Sequence, residues 1–137
     1  MANFEKALEL VLKNEGGYVN DPNDNGGETY KGVSRRANPQ WSGWKIIDGY
    51  KKKYKDFKKK LDSDNELQKC VKSLYRSNYW NPIKGDDLVH QDMAEEMFDA
   101  AVNFGITKAI KLAQKTVGFE QSGVMTNILV ERLNQEK

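Results

Sequence analysis

The sequence predicts a mainly α fold with one small β-hairpin or β-like loop directly after the first helix. Apolar residues recur at helical spacing through most of the chain. The stretch from Tyr18 to Gly32 is instead too rich in Gly, Asn and Asp to be helical. Capping and stop residues divide the rest into helices of ordinary length. A chain of 137 residues with 38% hydrophobic and 31% charged residues fits one domain. At that size folding buries about 68–70% of the unfolded surface.

Asn3 caps a first helix over about residues 4–15, which Gly16-Gly17 stops. Residues 18–32 follow as the hairpin, with Asn25-Gly26-Gly27 near its middle. Residues 33–44 are irregular or hold a short helical turn, broken by Pro39 and Gly43 and anchored by Trp41 and Trp44. A lysine-rich helix is expected over about 47–61, with Tyr54, Phe57 and Leu61 facing inward. Ser63-Asp64-Asn65-Glu66 has the form of a capping box. The helix it opens carries Leu67, Cys70, Val71, Leu74, Tyr75 and Asn78 at helical spacing and ends at Trp80-Asn81-Pro82. Another, over about 91–103, buries Ala94, Met97, Phe98 and Ala101 and closes at Gly105. Thr107 caps one over about 108–117, stopped by Gly118, and Thr126 caps a last one to about 135. The expected organisation is a single domain over 1–137. Residues 1–90 form its part with the acid-bearing helix and loop, and 91–137 the C-terminal helices.

No apolar run approaches the ~20 residues that cross a bilayer, so integral membrane association is not expected. The first residues lack the basic and apolar regions of a signal peptide. Synthesis in the cytoplasm, with delivery to any external target by another system, is the expectation. Cys70 is the only cysteine, which rules out an internal disulfide, and it reads as an inert core thiol. The net charge of +2 hides a run from Lys51 to Lys60 with seven lysines against one aspartate. Such a run either steers the chain toward an anionic polymer or is a solvated helix face over an apolar one.

The chemistry concentrates in Glu15 to Gly32. Phe4, Leu8, Val11 and Glu15 fall at i, i+4, i+7 and i+11, so the glutamate continues an apolar helix stripe and is expected to be largely buried. Asp24 sits among Asn23, Asn25, Gly26 and Gly27, where a carboxylate stays ionised. Two acids in opposed environments suit glycosidic cleavage, one donating a proton and one acting as an anion. The bland alternative is a solvated glutamate at a helix end and an ordinary turn aspartate. Asp21 to Gly26 also matches the start of a calcium loop, but position twelve, where a bidentate Glu is needed, is Gly32. His90 and Cys70 have no partners at zinc-ligand spacing, and no Ser-His-Asp set is evident. Neither metal nor cofactor is expected. Tyr18, Tyr30, Trp41, Trp44, Tyr75, Tyr79 and Trp80 could offer stacking faces to sugar rings or could pack the core. Tyr79-Trp80 are the favoured cleft pair.

The segment E-G-G-Y followed by N-D-P-x-D-x-G-G-x-T-x-x-G resembles the signature of glycoside hydrolase family 108, lysozyme-like N-acetylmuramidases of which some are labelled secretion activator proteins. Y-R-S-N-Y-W at 75–80 and F-D-A-A-V-N-F-G at 98–105 resemble later blocks of that family, and residues from Ala109 resemble the start of its peptidoglycan-binding segment. The resemblance implies a lysozyme-like α+β fold and a glycoside hydrolase that cleaves the β-1,4 bond between N-acetylmuramic acid and N-acetylglucosamine. It implies Glu15 as catalytic acid. The order Glu, eight residues, Asp, four residues, Thr is also similar to phage-type lysozymes, which differ by one residue in the second gap. That similarity gives Asp24 and Thr29 the roles of cleft carboxylate and water-positioning hydroxyl. Tyr18, Tyr30, Tyr79, Trp80 and Asn103 are the candidate substrate contacts. The C-terminal segment departs from the family by lacking D-G-x-x-G-P-x-T, so 91–137 resembles only part of a peptidoglycan-binding segment. The expected partner is a peptidoglycan glycan strand, engaged by a monomer, with no nucleic acid. A non-catalytic wall-binding or nucleic-acid-binding regulatory protein is the rival. An aspartate nine residues beyond Glu15, past a Gly-Gly break, suggests opposite cleft walls and an inverting mechanism.

Overall fold

The computed structural model describes residues 1–23 and 26–136. It is mainly α with one small sheet, as expected: α1 (Phe4–Asn14), β1 (Tyr18–Asn20), β2 (Glu28–Tyr30), β3 (Val33–Ser34), α2 (Gly43–Lys53), α3 (Phe57–Leu61), α4 (Asn65–Tyr75), α5 (Gln91–Phe104), α6 (Ile106–Thr116) and α7 (Asn127–Asn134). A π-helical turn at Arg76–Trp80 extends α4. No described helix is long and apolar enough to cross a membrane. Backbone contacts group the chain into two compact units, Leu10–Leu74 and Met1–Glu9 with Tyr75–Lys137.

In the Leu10–Leu74 unit the strands form an antiparallel sheet in the order β1-β2-β3. The expected hairpin is β1–β2, with Tyr18 opposite Tyr30 and Asn20 opposite Glu28. The third strand comes from a two-residue turn in which Lys31 and Gly32 both have positive φ, 46° and 83°. That is the primed turn whose twist matches a hairpin, and glycine takes its second position without a Cβ penalty. In the loop between β1 and β2, Asn23 N–H donates to Asp21 Oδ1 at 2.9 Å, an Asx turn around Pro22.

The expected lysine-rich helix starts earlier and breaks in two. Tyr54 is extended (φ −132°, ψ 136°), so α2 ends with Lys51, Lys52 and Lys53 in its last turn, and α3 ends with Lys58, Lys59 and Lys60 in its own. One long helix would stack like charges at i, i+4, whereas two C-termini place six lysines at the negative ends of helix dipoles. The break leaves Tyr54 40% exposed. Phe57 is half-buried edge-on to Tyr18, and Leu61 is fully buried. The cap of α4 is Asp64, not Ser63: its Oδ1 accepts from Leu67 N–H at 2.8 Å. Trp41 and Trp44 anchor the connecting segment through indole donations to Cys70 O and Asn38 O.

In the other unit, Phe4, Trp80 and Phe98 form a three-ring cluster with centroids 5.5–5.8 Å apart. Each aromatic pair adds about 0.5–1.5 kcal/mol beyond area burial. The Trp80 indole donates to Asp86 Oδ1 at 2.8 Å, and Arg76 pairs with the same carboxylate at 2.6 Å. α5 packs on α6 across Gly105, whose φ of 93° only glycine adopts easily. Ala94, Met97, Phe98 and Ala101 are buried as expected. Helix α6 begins at Ile106 behind Gly105, so Thr107 is inside it and does not cap it. Thr126 does cap α7, accepting from Leu129 N–H at 3.1 Å.

A methyl group at Gly85 would collide with the Trp80 ring. Gly85→Ala should therefore lose about 1–3 kcal/mol through overpacking. Urea unfolding checks this; an unchanged midpoint would contradict the packing.

Candidate active site

The apolar stripe of α1 is buried as its spacing requires: Phe4 is 5%, Leu8 2% and Val11 4% exposed. Glu15 lies one residue past α1, its N–H donating to Leu12 O at 3.2 Å. It is half-buried, more open than expected, because the helix ends before it completes the stripe. Its carboxyl makes no hydrogen bond or ion pair with any described residue. A carboxyl so placed can transfer a proton without first breaking a salt bridge. The backbone ladder reaches almost to it, since Lys31 N–H donates to Gly17 O at 3.3 Å. Asp24 lies outside the described residues.

The sheet register sorts the remaining candidates by face. Tyr18, Glu28 and Tyr30 share one face, while Val19, Thr29 and Ser34 share the other. Thr29 is half-buried, and its methyl group lies 3.4 Å from where a Cβ on Gly26 would stand. On the same face Ser34 Oγ donates to Gly26 O at 3.0 Å. Thr29 thus stands beside the end of the Gly-rich loop.

Tyr30 is not an accessible stacking face. It is fully buried, its hydroxyl donating to Asp62 Oδ1 at 2.6 Å and accepting from Gln68 Nε2 at 3.0 Å. Burial, reinforced by the Asp62 hydrogen bond, pushes its phenol well above the ordinary range. Tyr18 is half-buried, with Lys51 and Lys58 ammoniums each 5.7 Å from its ring centroid. In the other unit Trp80 is fully buried, so its ring too belongs to the core. Tyr79 is half-buried and tilted on Tyr75 with centroids 5.7 Å apart. Asn103 is exposed in the last turn of α5, its amide donating to Asp99 O at 3.0 Å.

The sequence alone did not single out Glu28. Its side chain, 11% exposed, accepts hydrogen bonds from Tyr18 Oη at 2.6 Å, Lys51 Nζ at 2.7 Å and Arg35 Nη1 at 2.9 Å. Arg35 also grips Asp48 in a fork of 2.9 and 2.8 Å. Burial pushes the Glu28 carboxyl up, but donation from Lys51, Tyr18 and Arg35 outweighs it and holds the group below its usual value. Burial, with Glu28 beside it, raises the Tyr18 phenol. Arg35 holds Asp48 low. The available signal was strand alternation: a charge two residues before Tyr30 must share its buried face.

A depressed folded-state pKa gives Glu28 a contribution to stability that is complete above its unfolded value of about 4.5 and is lost as pH falls through the folded value. Glu28→Gln should cost about 1–3 kcal/mol at neutral pH and flatten the loss of stability below about pH 4.5. Melting curves from pH 3 to 7 check both; an acid limb as steep as wild type would assign it to other carboxylates.

A search among curated proteins returns no match. Solved structures that match include SagA of Brucella abortus, 30% identical, with a TM-score of 0.65 over 98% of this chain and 70% of that one. The family model described as glycosyl hydrolase 108 matches residues 8–105, more than half of the chain and a span that holds Glu15, the loop, the sheet and the Glu28 network. The chain belongs to glycosyl hydrolase family 108.

Proposed function

We propose that the chain is a peptidoglycan hydrolase of the lysozyme type, cleaving the β-1,4 bond between N-acetylmuramic acid and N-acetylglucosamine. The supporting observation is Glu15. It lies inside the family-matched segment, half-buried at the end of an apolar stripe, with no cation among the described residues to neutralise it. Glu15 donates its proton to the glycosidic oxygen as the bond to the anomeric carbon breaks. Asp24 supplies the anion that stabilises the oxocarbenium-like charge and helps orient water. Thr29, on the sheet face beside Gly26, holds that water through its hydroxyl. Water adds from the side opposite the leaving group and gives its proton to Asp24, and the anomeric configuration inverts. Exchange with solvent returns Glu15 to its protonated form and Asp24 to its anion.

A second possibility, a wall binder that does not cleave, is favoured by charge. The Leu10–Leu74 unit holds fourteen Lys and Arg against nine Asp and Glu, a net charge of +5. Clearance of a turbid cell-wall suspension separates the two, since a binder clears nothing.

Glu15→Gln should slow clearance by about 10²–10⁴-fold while leaving the melting temperature near wild type. Wild-type clearance by that variant would remove Glu15 from the mechanism. Asp24→Asn should impair clearance by about 10²-fold, less completely than loss of the acid. A glycosyl adduct trapped on Asp24 would replace inversion by a covalent route.

A further inference from the structure

The outer face of α2 carries a feature that the catalytic residues do not use. Lys45, Ile46, Gly49, Tyr50, Lys53 and Tyr54 line an open groove of about 330 Å³, with no carboxylate in its wall. The spacing of the first five puts them on one face of α2, and Tyr54 follows directly past the helix end. Gly49 is exposed in the interior of that helix, and a Cβ there would meet nothing within 4 Å. A helix-interior glycine destabilises relative to alanine, and neither packing nor a positive φ explains this one. What it leaves is a notch beside two aromatic rings. Tyr50 and Tyr54 have centroids 6.1 Å apart and planes 33° from each other. Tyr50 is held in place by its hydroxyl donation to Asp64 Oδ2 at 2.6 Å. Lys60 Nζ sits 4.4 Å from the Tyr54 ring centroid. Lys45 and Lys53 make no ion pair with a described residue and lie about 12 Å apart along the helix.

We propose that this groove is an accessory subsite for peptidoglycan glycan, in which Tyr50 and Tyr54 take a pyranose ring over the Gly49 notch and Lys45 and Lys53 pair with carboxylates carried by the strand. Amphipathic rings suit the apolar face of a sugar. The uncompensated cations suit an anionic chain, and their spacing brackets more than one ring. The assignment holds only if peptidoglycan is the substrate. It adds an anchoring surface apart from Glu15, so binding and cleavage are separable.

The test is sedimentation binding of the Glu15→Gln protein to purified sacculi at 20 mM and 300 mM salt, with turbidity clearance by otherwise wild-type protein in parallel. Adding Gly49→Ala should raise the melting temperature by about 2–4 °C and weaken binding by about 3- to 10-fold, because the methyl fills the notch. Tyr54→Ala should weaken binding by a similar factor. Paired Lys45→Gln and Lys53→Gln should weaken it by about 10-fold at low salt and little at high salt. Binding should survive removal of wall phosphate polymers by hydrofluoric acid. Loss of binding on that treatment would overturn the assignment in favour of a phosphate polymer. Clearance by wild type with unchanged binding by the groove variants would overturn the subsite alone. Absence of both clearance and binding would overturn the peptidoglycan assignment with it.

Discussion

Removing a carboxylate from water costs several kcal/mol unless donors surround it. Glu28 is such a carboxylate, on the middle strand of a sheet with strands of two and three residues. A sheet that small is marginal by itself. The donors that Glu28 needs come from three directions: Tyr18 on β1, Arg35 just after β3 and Lys51 on α2. Meeting them fixes both outer strands and ties α2 to the sheet, with Asp48 holding Arg35 in place. Because Glu28 faces inward, Thr29 must face the other way. There Ser34 holds Gly26 O, while Asp21 turns the other flank of the loop around Asn23. The polar network thereby fixes the sheet whose other face carries Thr29 beside Gly26.

What was legible in the sequence was local. The stripe of Phe4, Leu8 and Val11, the caps at Asn3 and Thr126, and the α5 core positions follow from neighbours within one or two helical turns. What was not legible depends on distant partners. Glu28 meets residues 7 to 23 positions away. Tyr30 and Trp80 have the residue types of a sugar-stacking surface, and only tertiary packing with Gln68, Asp62, Phe4 and Phe98 makes them core. The lysine run read as one helix because its apolar spacing continues through it. The helix instead ends before Tyr54, exposing a ring expected inside. Lys31 carries no propensity for positive φ, so neither the turn at Lys31-Gly32 nor the third strand after it was expected. Asp24, prominent in the sequence, lies outside the described residues.

Charge shows the same contrast between local sum and spatial arrangement. The chain as a whole carries only +2. The Leu10–Leu74 unit carries +5, and the remainder, with eight Lys and Arg against eleven Asp and Glu, carries −3. On the proposed function the basic unit holds both the acid and the Tyr50–Tyr54 groove, so attraction to an anionic wall acts on the part of the chain that works on it. Exposed lysines outside the Glu28 network contribute little to stability.

The central claim is cleavage at one particular linkage, and the chemistry of the new chain ends tests it most directly. Digested peptidoglycan, reduced with borohydride and analysed by mass spectrometry, should show newly reduced N-acetylmuramic acid ends that grow with time and are absent after digestion with Glu15→Gln. Reduced N-acetylglucosamine ends in their place, or no new reducing ends at all, would contradict the account.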